Sequence, residues 1–430
     1  MTLCDCLPHW VIYEQRLILQ VKNKSRLLPP LLYWSPMTAQ RSITTLDQNE
    51  PHNQHQKNVT GKTMNARVSA YNHLPAALQD KLDICQLNEF SLLFEARQPT
   101  TMAQLIEWVQ EYRFYFYPCL HRYGVIVFRG FRGVDVAAFN RLVQSGLGMT
   151  PWNAFNTRRM PGVIASALRR YSEHLLGAGD YRRYLSPSAV KLGPVESSIQ
   201  GPHVEGGVAS ERSRYLTLFC EEPAPYLAET AMADLHLAYL KLTPELKHRY
   251  GQAWNQFYYL PARRLKWYDR ILLRFSPFTI QQAAGQQTGQ ERLVLKPSPL
   301  VIRSPEMQQP CLQPWQFARN THTQAYAAAR EVYTDRGELQ PDSTATGVNL
   351  HWSLADREGN PLPWSDDEKQ ALFEQLYRDA YLMEWQKGDI AILDNIRIGH
   401  WRMNGEQGNR KLIQIQTYAF NADPLWMGHS

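Results

Sequence analysis

The chain lacks any apolar run long enough to span a bilayer. The longest, such as Leu28 to Trp34, holds two prolines and falls far short of the ~20 residues required. A signal-peptide core is missing as well, because Asp5, Glu14, Arg16 and Gln20 interrupt the first apolar stretch. Cysteine is scarce: six residues, at 4, 6, 85, 119, 220 and 311, with no C-x-x-C spacing. That excludes a disulfide framework and points to a reduced cytoplasm, with no membrane partner. Also absent is a dense basic stripe with interleaved aromatics. The formal charge is +6, yet residues 1–63 hold seven Lys+Arg against four Asp+Glu and so carry half of it. Nucleic acid is therefore not an expected partner.

What is present is a chain of 430 residues, 44% hydrophobic and 20% charged, able to bury a sizeable core. Its length suits two to three domains or one large β-rich domain. Residues 38–63, rich in Gln, Asn and Thr, read as a flexible linker. Residues 1–63 thus read as an appendage, and 64–430 as the functional domain, with 270–345, rich in Gln, Pro and Thr, as an insertion.

The texture after Met64 is α+β with a strand-heavy core. Gln104 to Tyr117 places Leu105, Trp108, Val109 and Tyr112 at helical spacing. Helices are also predicted over Val136–Leu147, Asp234–Lys241 and Asp366–Leu382, the last with an acidic start suited to a helix N-terminus. Strands are predicted over Tyr123–Gly130, Arg214–Cys220, Gly388–Leu393 and Lys411–Ala419; the last alternates as a half-buried antiparallel strand would.

Two of the thirteen histidines stand out, whereas His248, His322 and His429 read as ordinary surface residues. His203 lies in Gly201-Pro202-His203-Val204-Glu205-Gly206-Gly207. In an extended chain, i and i+2 share a face, so His203 and Glu205 can converge on one point. An imidazole and a carboxylate together supply two thirds of a facial metal triad, although a salt-bridged pair is the ordinary reading. His400 lies in Asp394-Asn395-Ile396-Arg397-Ile398-Gly399-His400-Trp401-Arg402, where a strand–turn–strand would turn it inward. A core histidine is the bland alternative. Arg410 opens the last strand, where an unpaired buried arginine is costly unless a carboxylate meets its planar fork.

The order of these pieces is more telling than any one of them. H-x-E, a long interval, D-N-x-x-x-x-H-x-R and an arginine ten residues after the histidine resemble the Fe(II)/2-oxoglutarate dioxygenases, and more narrowly the taurine dioxygenase/clavaminate-synthase-like (TauD/TfdA) superfamily. Further blocks match in register: Tyr123-Gly124-Val125…Arg129-Gly130; Arg214-Tyr215-Leu216…Cys220…Pro223…Glu229-Thr230…Ala233-Asp234; and Trp385-Gln386-Lys387-Gly388-Asp389. The resemblance spans roughly residues 115–420.

It implies a double-stranded β-helix (jelly-roll) core with flanking helices. It implies that His203, Glu205 and His400 hold Fe(II), that Arg410, helped by Thr230, grips the far carboxylate of 2-oxoglutarate, and that O2 is the oxidant. Succinate and carbon dioxide would leave, and an unactivated C–H would be hydroxylated. Departures narrow the substrate: Gln414 stands where taurine dioxygenase has a second arginine, so a sulfonate is not expected. Ala228 replaces a usual glycine, Trp401 sits in the H-G-R position, and the retained Glu205 argues against halogenation. The pattern is most like the branch that hydroxylates amino acids, free or carrier-bound, in natural-product (antibiotic) biosynthesis. Gln200, Gly206, Gly207 and Arg402 are the expected substrate neighbours. Desaturation or cyclisation at the same site, or a catalytically silent jelly-roll binding module, are the alternatives.

Overall fold

The computed structural model describes residues 74–152, 171, 182–186, 188–192, 199–261, 263–274, 278–282, 291–314, 323–336, 349–406 and 408–429. The chain partitions into two units, 1–61 and 62–430, and every described residue belongs to the second. The expected appendage, His322 and Cys4 and Cys6 lie outside the described residues.

In chain order the elements that build the site are β1 (Leu82–Asn88), β2 (Ser91–Thr101), α1 (Met102–Glu111), α2 (Arg113–Tyr123), β3 (Val125–Arg132), α3 (Val136–Arg141), β4 (Arg182–Tyr184) and β5 (Val190–Leu192). They continue with β6 (Glu211–Glu222), β7 (Thr230–Asp234), α4 (Leu235–Leu240), β8 (Trp254–Leu260), β9 (Phe278–Gln282), β10 (Glu291–Leu295) and β11 (Asn349–Ala355). The last are α5 (Asp366–Arg378), β12 (Tyr381–Met383), β13 (Ile390–Asp394), β14 (Ile398–Arg402) and β15 (Lys411–Asn421).

An eight-stranded sheet runs β1-β2-β3-β13-β6-β15-β5-β4, and a three-stranded sheet runs β12-β7-β14. In the large sheet only β2 and β3 pair in parallel. The two sheets share one apolar layer: Leu216, Leu218 and Cys220 of β6, Val125 and Val127 of β3 and Leu412 of β15 meet Met232 of β7, Ile398 of β14 and Met383 of β12. The opposite face of the large sheet packs Phe219, Ile392, Ile413 and Ile415 against α1, α2 and α3 through Leu105, Val109, Phe116 and Phe139. Alternation along each strand feeds both layers, so the sheet is apolar on both sides. A third sheet, with β9, β10, β8 and β11 in that order, takes in part of the 270–345 stretch.

Several predicted boundaries move. The helix expected over 104–117 is two helices, because Tyr112 leaves helical geometry at φ −107°, ψ 30°. The first begins earlier than its apolar period, at a capping box: Thr101 Oγ1 accepts from Gln104 N–H, and Gln104 Oε1 accepts from Thr101 N–H. The helix expected to run to Leu382 stops at Arg378, and Tyr381–Met383 joins the small sheet beside β7. Its start is as anticipated: Ser365 caps it and three acids fill the first turn. The strand over 411–419 is not half-solvated. On its polar face Gln414 is only 2% exposed and Gln416 is half-buried, because that face looks inward between the sheets. Among the described residues no helix is long and apolar enough to cross a membrane.

Candidate metal centre

Two arms meet. His400 rides on β14, every residue of which is buried. The strand is paired with β7 so that His400 lies opposite Met232 and Arg402 opposite Thr230. His203 comes from a loop that lies antiparallel to β14: His400 N–H donates to His203 O at 2.9 Å, His203 N–H to His400 O at 3.2 Å, and Gln200 N–H to Arg402 O at 2.9 Å. The two imidazole rings are 4.5 Å apart. Past Glu205 the chain turns, Gly207 N–H donating to Val204 O at 3.1 Å. Gly206 takes φ +73°, and a side chain there would press on Arg212 Cβ at 3.1 Å. Glycine thus suits position 206, where the left-handed backbone leaves the site.

One ligand atom from each of His203, Glu205 and His400 falls within 4.8 Å of the others, and all three residues are buried. Glu205 Oε2 is 3.9 Å from His400 Nε2. His203 Nδ1 faces Gly201 O at 2.9 Å. A carbonyl only accepts, so Nδ1 carries the proton and Nε2 is left as a lone-pair donor. Burial, with His203 close by, pushes His400 down to about 3, so its ring is neutral at ordinary pH. Two neutral imidazoles and a carboxylate on one side of a point fit a divalent iron with open positions opposite.

Asn395 locks the two arms together. Its Oδ1 accepts from Glu205 N–H at 2.8 Å, while Nδ2 donates to Glu205 O at 3.0 Å and Ser213 O at 2.7 Å. Asp394 closes the turn by accepting from Ile396 N–H at 3.0 Å and pairs with the buried Arg214. Burial alone would raise that carboxyl, but Arg214 outweighs it and holds Asp394 below the usual range. Gln416 Nε2 donates to Glu205 Oε1 at 2.7 Å.

Arg410 sits at the head of β15. Burial and then neighbouring Arg402 push its pKa down to about 10, and among the described residues no carboxylate pairs with it. A desolvated guanidinium facing another cation is electrostatically set up for an anion. Thr230 lies across from Arg402, and its Oγ1 accepts from Trp385 Nε1–H at 2.8 Å, which leaves its own hydrogen free to donate. Gln200 is half-buried and Gly206 and Gly207 line the turn behind Glu205. The structure thus brings His203, Glu205 and His400 to one point, with Arg402 beside Arg410 and opposite Thr230.

Sequence reasoning missed the roles of Asn395, Gln416 and Trp385. The signal for Gln416 was available: counting by two from Arg410 along a strand reaches Leu412, Gln414 and Gln416 on one face. Trp401, in the H-G-R position, is buried in the core and packs edge-on against Tyr377.

Residues 94–416 match the family described as taurine catabolism dioxygenase TauD, TfdA family. The chain belongs to that family of Fe(II)- and 2-oxoglutarate-dependent dioxygenases. Among solved structures it is similar to the PvcB protein from Pseudomonas aeruginosa, at 14% identity over 82% of this chain and 97% of that one, with a TM-score of 0.45. It is similar too to AAD-2 in complex with Mn(II) and N-oxalylglycine, at 14% identity, 79% and 99% coverage and a TM-score of 0.41. A taurine dioxygenase from Burkholderia xenovorans matches at 13% identity, 80% and 92% coverage and a TM-score of 0.41. No curated protein matches the chain.

Proposed function

We propose that His203, Glu205 and His400 are the Fe(II) ligands, that Arg410 and Thr230 bind the far carboxylate of 2-oxoglutarate, and that the enzyme hydroxylates an unactivated C–H of an amino acid or an amino-acid-derived molecule, free or carrier-bound. The observation that carries this reading is the convergence of three buried ligand atoms within 4.8 Å from segments nearly two hundred residues apart. The packing of the eight-stranded sheet on the three-stranded one supports a jelly-roll description of the core. Residues from about 64 onward form one catalytic domain on this reading, with 270–345 inserted. The buried thiols of Cys220 and Cys311, neither in a disulfide, favour the cytoplasm.

Iron held by His203, Glu205 and His400, with 2-oxoglutarate and O2, would supply the oxidising power for C–H hydroxylation, and succinate and carbon dioxide would leave. The chain's own residues do the rest. Arg410 supplies a fixed positive fork whose burial strengthens its grip on a carboxylate. Trp385 donates to the Thr230 oxygen, so the hydroxyl hydrogen of Thr230, across from Arg402, is available to an acceptor. His203 is held in one tautomer by Gly201 O, and the backbone of Glu205 is held by Asn395. Gln414 offers a neutral amide in the inward layer, which suits a polar uncharged contact better than a sulfonate.

The test is succinate formation from 2-oxoglutarate across a panel of free and carrier-bound amino acids. Turnover with a product heavier by one oxygen is expected. A product lighter by two hydrogens would replace hydroxylation by desaturation, and no turnover with any amino acid would remove the substrate assignment.

A further inference from the structure

Resting on the reading of His203, Glu205 and His400 as metal ligands, we infer that Gln416 is a positioning residue that keeps Glu205 a one-oxygen ligand. Glu205 has two carboxylate oxygens, and they have different neighbours. Oε2 is the one 3.9 Å from His400 Nε2. Oε1 is 2.7 Å from Gln416 Nε2. An ionised carboxylate only accepts, so the amide group in contact must be the NH2 end, which settles the orientation of the glutamine. Oε1 is therefore committed to Gln416, and Oε2 is the oxygen that faces His400 Nε2.

The consequence is geometric. A carboxylate free to rotate can bind a divalent ion through both oxygens and so take one of the positions opposite the histidines. The amide of Gln416 prevents that swing and keeps those positions open for other ligands. Its own placement is rigid: Gln416 lies mid-strand in β15, paired with Leu216 of β6, and its carbonyl accepts from Trp152 N–H at 2.8 Å. Asn395 holds the backbone of Glu205 and Gln416 holds its head, so the ligand is fixed at both ends.

Methionine at 416 keeps the length and much of the volume but removes the donor; asparagine keeps the amide but shortens its reach. The experiment titrates full-length wild type, Gln416→Met, Gln416→Asn and His203→Ala with Co(II), reading the dissociation constant and the d–d absorption spectrum, with near-UV circular dichroism as a check of fold. Wild type binds one Co(II) and His203→Ala does not. Gln416→Met and Gln416→Asn bind about 10–100-fold more weakly, with a d–d spectrum altered by the change in ligand mode. A folded Gln416 variant with wild-type affinity and spectrum overturns the role given to Gln416 while the metal site stands. Wild type that binds no Co(II) overturns the metal site itself, and the positioning role with it.

Discussion

The two arms of the site are built on opposite principles. The His400 arm is a regular strand, buried throughout and held by backbone pairing to β7. The His203–Glu205 arm belongs to no regular strand. Three backbone hydrogen bonds tie it to β14, the amide of Asn395 holds its backbone, and Gln416, reaching over from β15, holds the Glu205 carboxylate. A strand gives one ligand a fixed direction at the expense of adaptability. A loop allows two ligands of unlike length to reach the same point, and it then relies on a few side chains to stay there. The expected contrast is a robust arm and a fragile one.

The largest effect separates ligands from supports. Replacing His203 or Glu205 with alanine is expected to abolish metal binding and succinate formation, read by metal titration and product assay, because two donors do not make a facial site. Next comes the clamp. Asn395→Leu leaves the N–H of Glu205 and the carbonyls of Glu205 and Ser213 buried without their partner, at about 1–3 kcal/mol for each group. A fall in thermal midpoint of many degrees is expected, with hydrogen exchange rising first at 203–207 and the amides of 398–402 still protected. Equal loss of protection in both arms would break the contrast.

A smaller, more specific effect is expected at the far end of the pocket. Arg410→Gln removes the charged fork but neither arm, so it should raise the KM for 2-oxoglutarate about 10–100-fold, the worth of one or two charged hydrogen bonds. Metal affinity should be nearly unchanged. A metal affinity that falls in step would mean that Arg410 supports the loop instead of binding the co-substrate.

How much of this was legible follows from the same contrast. The strand arm was readable because its signals are local: an apolar run, a polar Asp394-Asn395 turn and a second apolar run ending at His400. The ligands His203 and Glu205 were readable from their spacing and order. Their supports were not, because each joins segments 155 to 211 residues apart: Asn395 to Glu205, Gln416 to Glu205, Thr230 to Trp385. Nothing local marks an amide as a clamp. The half-buried reading of β15 failed for a related reason. Alternation tells which residues share a face, but not whether water or a second sheet covers it. The 270–345 stretch resisted because its strands are short: β9 pairs with β10, and β10 pairs with β8, which precedes both.

Two milder tests concern the body of the protein. Burial holds His121 and His351 below the ordinary histidine value, so the unfolded chain takes up these protons first. Stability is therefore expected to be full above about pH 6.5 and to fall as pH drops below it, and His121→Gln should flatten the curve. Burial also pushes the Cys220 thiol up to about 12. At 1% exposure, it should resist iodoacetamide in the native state and react only on unfolding, while half-buried Cys85 reacts sooner.

The most direct test of the three-ligand site is spectroscopic. Full-length protein is loaded anaerobically with Fe(II), titrated with 2-oxoglutarate and compared with Glu205→Ala. A visible charge-transfer band that grows to one equivalent and is missing in the variant is the predicted result. A correctly folded wild-type protein that binds Fe(II) and 2-oxoglutarate without the band, or a variant that keeps it, would contradict the account.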